Sequence, residues 1–130
     1  MIQSQPNKYF ENSIQTASPA QLLIMLCDGA IRFCKIGIDA IHKKQYIDAN
    51  INICKVQDIV NEFIITLDRS NPISDSLLLL YDYFNFRLIE ANMKKDSVPV
   101  VEVMGHLIEL KETWITASKW INSNTPRSGT

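Results

Sequence analysis

Between residues 18 and 121 the apolar side chains return every three or four positions, in four runs separated by polar breaks. That spacing puts them on one face of an α-helix. The first run passes through Leu22, Leu23, Leu26, Ala30, Phe33, Gly37 and Ile41. Ser18 suits its N-cap, Pro19 its first turn, and Lys43 and Lys44 its C-terminal end. The second run, over about residues 47–67, carries Ala49, Ile53, Val56, Val60, Phe63 and Leu67, and Asp68-Arg69-Ser70-Asn71-Pro72 breaks it. The third, over about residues 73–94, repeats through Leu77, Leu80, Phe84, Leu88 and Ala91. After a turn at Asp96-Ser97-Val98-Pro99, the fourth runs through Val100, Val103, Leu107, Leu110, Trp114, Ala117 and Ile121.

No stretch alternates apolar and polar residues between turn signals, so no sheet is predicted. Long helices joined by short breaks favour antiparallel neighbours. The expected fold is all-α: an antiparallel up-down-up-down four-helix bundle over residues 18–122. Residues 123–130 read as a polar, flexible tail. Residues 1–17 form an N-terminal arm in which Pro6 and Asn7 discourage a helix, although Tyr9, Phe10 and Ile14 are apolar. Two roles stay open for it: a staple onto the bundle, or a cover over a groove that a ligand displaces.

The third helix is more apolar than one core face requires. Tyr81, Tyr83, Phe86 and Ile89 lie off its stripe, as Ile47, Ile51, Ile59 and Ile64 lie off the main line of the second helix. A helix apolar beyond its core face is either enclosed or waiting for a partner. Four helices cannot enclose one of their own number, so the excess predicts a surface that grips another chain.

Composition narrows the partner. The chain has 130 residues, 46% hydrophobic and 21% charged, with a formal net charge of −1. No field is present to draw in nucleic acid or an anionic membrane. The most apolar runs, residues 22–27 and 77–81, are too short to cross a bilayer. The first eight residues lack the apolar core of a signal peptide, and a cytoplasmic location is expected. Cys27 and Cys34 fall seven residues apart on one helix, about 10 Å of rise and beyond disulfide reach. With Cys54 they are expected to be small apolar core thiols in a reducing compartment.

Catalytic chemistry finds little support. His42 sits at a helix end and His106 between Glu102 and Glu109, both on expected solvated faces. A di-iron bundle needs Glu-x-x-His on two helices, and this chain has neither copy. Phosphate loops, dinucleotide fingerprints and nucleophile elbows are missing. Gly29, Gly37 and Gly105 fall inside helices, where they suit close packing. Asp28 and Arg32 are spaced as an i,i+4 pair, and Arg87, Glu90 and Lys94 as a surface ladder. Asp58 and Glu62 read as solvated like charges or as an anionic spot for a ligand cation. The expectation is a non-enzyme with no metal and no cofactor.

One longer pattern remains. Tyr9-x-x-Asn12-Ser13-x-x-Thr16-Ala17-Ser18-Pro19-x-x-Leu22-Leu23 is followed by Met25-Leu26-Cys27-Asp28-Gly29-Ala30, then by Asn50, Lys55-x-Gln57-x-Ile59 and Leu67-Asp68. Tyr81-Asp82-Tyr83 with Arg87-Leu88-x-Glu90-Ala91-Asn92 comes next, and Glu102-Val103 and Glu109-Leu110-Lys111-x-x-Trp114 close it. In order and spacing this resembles the flagellar export chaperone FliS family. Cys27 stands where the family usually has an aromatic, and Lys111 where it commonly has arginine. The resemblance implies a cytoplasmic bundle that binds the disordered C-terminal segment of flagellin, prevents premature polymerisation and assists delivery to the export gate of the flagellar type III secretion system. It also implies that the arm covers part of the binding surface in flagellin's absence. Within that expectation, the residues assigned to flagellin are Ile51, Ile59, Leu78, Tyr81, Asp82, Tyr83, Arg87 and Asn92, with Tyr9 and Ile14 on the covering arm. The alternatives are a bundle that forms a homodimer through the same apolar faces and, further off, an enzyme or metal bundle.

Overall fold

The computed structural model describes residues 19–124, and side chains through Lys119. They form four helices: α1 (Pro19–His42), α2 (Tyr46–Thr66), α3 (Ser74–Lys94) and α4 (Val98–Asn124). At 1.5 Å per residue these are rods of about 36, 32, 32 and 41 Å. Helix α4 continues to Asn124, so the first two residues of the expected tail are helical. Ser18, Tyr9 and Ile14 lie outside the described residues.

Local chemistry explains where each helix stops. Lys44 adopts the left-handed conformation (φ 58°). Its N–H reaches Ile41 O and that of Gln45 reaches Ala40 O, at 2.9 and 2.8 Å. This closes the last carbonyls of α1 in a Schellman turn. Lys95 (φ 54°) ends α3 in the same way, with the Asp96 N–H on Ala91 O. The paired lysines therefore do more than offset helix dipoles: one of each pair turns the chain. Between α2 and α3 the Asp68 carboxylate accepts from the Ser70 N–H and hydroxyl, and Asn71 Oδ1 accepts from the Ile73 N–H.

α1 packs against α2 and α4, and α3 against the same two, which gives the square of an up-down-up-down bundle. The core line of α2 is the expected one: Ala49, Ile53, Val56, Val60 and Phe63 are buried. On α4, Val100, Val103, Leu107 and Leu110 are buried and Trp114 is half-buried. On α1 the centre of the core belongs to Cys27, Ala30 and Cys34, with Leu23, Leu26 and Phe33 half-buried at its edges. Cys54 departs from expectation: it is exposed.

The main correction concerns Tyr81. It is 1% exposed, with its ring 5.3 Å from Phe63 and 6.2 Å from Phe84. Helical phase gives the reason. At about 100° per residue, Leu77, Tyr81, Phe84, Leu88 and Ala91 form a tighter stripe than one drawn through Leu80. Tyr81 is thus core, and Leu80 is the half-buried flank.

Candidate functional site

Helix α3 turns its other apolar residues outward. Phe86 is 63% exposed, Met93 76% and Leu79 72%. These three are spaced by seven and share one face. Ile89 lies beside them, facing α2, and is also exposed. Across the groove, α2 exposes Ile47, Ile51 and Ile65.

Two amide pairs fix the register of this α2/α3 groove. Asn92 Nδ2 donates to Asn50 Oδ1 at 2.5 Å, and Asn85 Nδ2 donates to Asn61 Oδ1 at 3.0 Å. Side chains of this length hold two helices at a set distance without filling the space between them. A cleft of about 340 Å³ lies at the Asn50–Asn92 pair, the lower end of the groove, lined by Tyr46, Asn50, Gln57, Ile89, Asn92 and Met93 among others. Lys95 closes one end, its ammonium 5.5 Å from the Tyr46 ring centre. Cys54 sits on the rim, its thiol donating to Asn50 Oδ1 at 3.6 Å.

The sequence-assigned residues do not converge on one place. Ile51, Asp82 and Asn92 belong to the α2/α3 face, where Ile51 and Asp82 are exposed and Asn92 is half-buried as a rung. Leu78 is half-buried on the same edge of α3. Ile59 lies on the opposite edge of α2, against Gly29 of α1. Tyr83 and Arg87 face α4: the Tyr83 hydroxyl donates to Glu102 at 2.7 Å, and Arg87 Nε to the other Glu102 oxygen at 2.6 Å. Arg87 also pairs with Glu90, which pairs with Lys94. The expected ladder is therefore present, and Glu102 extends it across to α4. The two donors hold the Glu102 carboxyl below its ordinary range, and Lys94 and Arg87 do the same for Glu90. Sequence reasoning left Phe86 and Ile89 out of the site and overlooked Leu79 and Met93, although the seven-residue spacing of Leu79, Phe86 and Met93 was there to find.

A second, apolar cavity of about 240 Å³ opens at the end of the bundle where α1 begins. Pro19, Leu23, Phe63, Leu67, Leu77 and Trp114 are among the residues that line it. Trp114 Nε1 is buried there without an acceptor among the described residues.

Other charged groups correct the sequence picture. Asp28 pairs with Lys111 of α4 at 2.5 Å instead of Arg32, whose guanidinium lies 5.2 Å from the Phe33 ring centre. His42 bonds to the Ser97 hydroxyl at 3.0 Å, joining the end of α1 to the α3–α4 turn. His106 stacks on Phe84 at 5.8 Å and faces Glu109. Burial pushes the Cys27 and Cys34 thiols up to about 12, which leaves them inert as nucleophiles. Among the described residues no group of three or more His, Cys, Asp or Glu is placed to hold a metal, and no helix is long and apolar enough to cross a membrane. The arrangement is suited to holding a polypeptide, with polar pegs for register and apolar walls for contact.

The sequence profile of the family described as "Flagellar protein FliS" matches residues 1–120. The flagellar secretion chaperone FliS of Bacillus subtilis is 34% identical over 113 residues, 87% of this chain and 85% of that protein. The protein of the same name from Salmonella typhimurium is 35% identical over 113 residues, 80% of this chain and 79% of its own length. The flagellar secretion chaperone FliSB of Pseudomonas aeruginosa is 29% identical over 106 residues, 80% of this chain and 84% of its own.

Proposed function

The chain belongs to the FliS family of flagellar proteins, and from that membership we propose that it is a non-enzymatic cytoplasmic chaperone that holds the disordered C-terminal segment of flagellin. Bound, the segment is kept from polymerising; it is then delivered to the flagellar type III secretion gate. The observation that carries this is the outward row of Leu79, Phe86 and Met93 on α3 beside the amide-pegged groove. A segment that folds on docking loses chain entropy, and a large apolar contact has to offset that loss. Covering each of these side chains contributes about 1.5–3 kcal/mol before ordering costs. The segment docks as an amphipathic helix laid in a groove.

The arm with Tyr9 and Ile14 belongs to the same proposal. It joins the bundle at Pro19, which lines the apolar end cavity. Return of the arm then competes with bound flagellin, and release needs no nucleotide.

The test is calorimetric titration of the full chain with a peptide of the flagellin C-terminal segment, with Phe86→Ala and Met93→Ala beside the parent. Tight binding that both variants weaken, with melting temperatures nearly unchanged, is expected. No heat and no complex on a sizing column at micromolar concentration would overturn it. For the arm, deletion of residues 1–17 is expected to leave the bundle folded and raise its binding of an apolar dye.

A further inference from the structure

The α2/α3 face is selective in charge as well as apolar. Asp58 lies one helical turn before Asn61 on α2, and Asp82 one turn before Asn85 on α3. Because the helices run antiparallel, the Asn61–Asn85 pair lies between the two carboxylates along the groove. The same register sets Phe86 across from Asp58 and Ile65 across from Asp82. Each carboxylate thus stands opposite an exposed apolar side chain. Both are exposed, and neither enters an ion pair among the described residues.

The cations of these two helices are engaged elsewhere. Lys55 lies 5.1 Å from the Phe33 ring centre on the α1 side. Arg87 and Lys94 are paired toward α4 through Glu102 and Glu90. Lys95, in the turn after α3, stands over Tyr46 at the far end of the cleft. Among the described residues, the middle of the groove offers apolar walls and negative charge, and no ion pair answers Asp58 or Asp82.

We propose that this face selects an amphipathic helical segment bearing a lysine or arginine beside its apolar stripe, the cation docking against Asp58 or Asp82. A long cationic side chain lays its methylenes along Phe86 or Ile65 while its head meets the carboxylate. An acidic residue in the same register is rejected by like charge. The same logic disfavours a second copy of this chain as occupant. A two-fold dimer joins a surface to itself, so it would gather four exposed aspartates, Asp58 and Asp82 from each copy, into one interface with no lysine or arginine of α2 or α3 turned toward them. This inference rests on the reading that the α2/α3 face receives the flagellin segment.

The experiment titrates the full chain with the flagellin C-terminal peptide, and with a version whose Lys and Arg are replaced by Gln, at low and high salt. The Asp58→Asn/Asp82→Asn double variant and Phe86→Ala are run in parallel. The double variant, and separately the Gln peptide, are expected to bind about five-fold more weakly at low salt, with the difference shrinking as salt screens the pairs. Melting temperatures should match the parent, since both aspartates are exposed. Parent-like binding by the double variant at both salts, with Phe86→Ala still weakening it, overturns the cation contact and leaves the groove standing. Parent-like binding by Phe86→Ala as well moves the segment off this face, and both readings fall. In sedimentation the parent is expected to show no dimer through this face; a dimer that Phe86→Ala dissolves overturns the exclusion of self-pairing.

Discussion

Helix α2 has two neighbours and meets them in opposite ways. Toward α1, Gly29 and Gly37 keep side chains out of the contact and the isoleucines come up close: a Cβ at these positions would already stand in van der Waals contact, 3.5 Å from Ile59 and 3.4 Å from Ile53. Isoleucine fills the seam, which closes by shape. Toward α3 the contact is shared between a buried inner edge, where Phe63 meets Tyr81, and an outer edge held by two asparagine pairs. A hydrogen bond fixes distance and register, yet its net contribution is only about 0.5–1.5 kcal/mol. Polar pegs therefore position α3 while leaving the area around them uncovered. One seam is finished within the chain; the other is set in place and left with contact area to offer.

Truncating one aromatic on each side of α3 should separate its inner and outer edges most widely. Tyr81→Ala empties a site between Phe63 and Phe84, and a loss of about 3–5 kcal/mol is expected. Phe86→Ala removes a side chain that is 63% exposed, for which surface substitutions cost within about 0.5 kcal/mol. Urea unfolding of the two variants measures both. Equal costs would mean that the inner and outer edges of α3 do not differ as described.

How much of this was legible in the sequence follows from what periodicity measures. Four helices and the core lines of α2 and α4 depend on apolar spacing, and their breaks on turn residues such as those of Asp68–Pro72; both are printed in the chain. The phase of α3 was harder. Leu80 and Tyr81 are adjacent and both apolar, and only the sum over Phe84, Leu88 and Ala91 favours the tyrosine as core. A preference for burying leucine before tyrosine sends that choice the wrong way. The excess of apolar surface on α3 was legible; its direction was not. Tyr83 and Arg87 turn toward α4 because Glu102 is there to receive both, and no pattern within α3 reveals a carboxylate on another helix. Ile59 was lost for a related reason. It reads as surplus until Gly29 is seen to leave room for it.

The closed seam predicts a contrast among glycines. Gly37→Leu should wedge α1 away from Ile53 and cost about 1–3 kcal/mol. At Gly105 an added Cβ meets nothing within 4 Å. Gly105→Ala should then recover helix propensity and stabilise the chain by about 0.5–1 kcal/mol. That glycine was expected to serve packing, and its exposure shows that it does not. Thermal melts of both variants decide the matter. If Gly37→Leu is tolerated, the α1/α2 seam is looser than its geometry implies.

Acid should act on the side of α3 that faces α4. Glu90 and Glu102 are held below the ordinary glutamate range by hydrogen bonds from Lys94, Arg87 and Tyr83. A carboxyl whose native pKa is depressed stabilises the fold above its unfolded pKa and loses that contribution as pH falls through the native value. The melting temperature is expected to drop as pH falls below about 4.3, the unfolded glutamate value, and to drop less steeply in Glu102→Gln. An identical acid limb in the variant would show that Glu102 carries no share of it.

The three thiols read out the whole comparison without disturbing it. Cys27 and Cys34 sit on the inner face of α1, and burial raises both to about 12. Cys54 stands on the rim of the α2/α3 groove, exposed and 3.6 Å from Asn50 Oδ1. Reaction requires the thiolate and access to it. At mildly alkaline pH the native chain should therefore consume one equivalent of a disulfide reagent quickly and the other two only on unfolding. Adding the flagellin peptide should slow the fast thiol if the segment covers Asn50 and its neighbours. It should leave the slow pair unchanged, because their protection belongs to a seam the chain closes alone. Rapid loss of all three thiols in the native state would place the opening on the wrong side of α2. Unchanged Cys54 labelling at saturating peptide would place the partner away from the lower end of the groove.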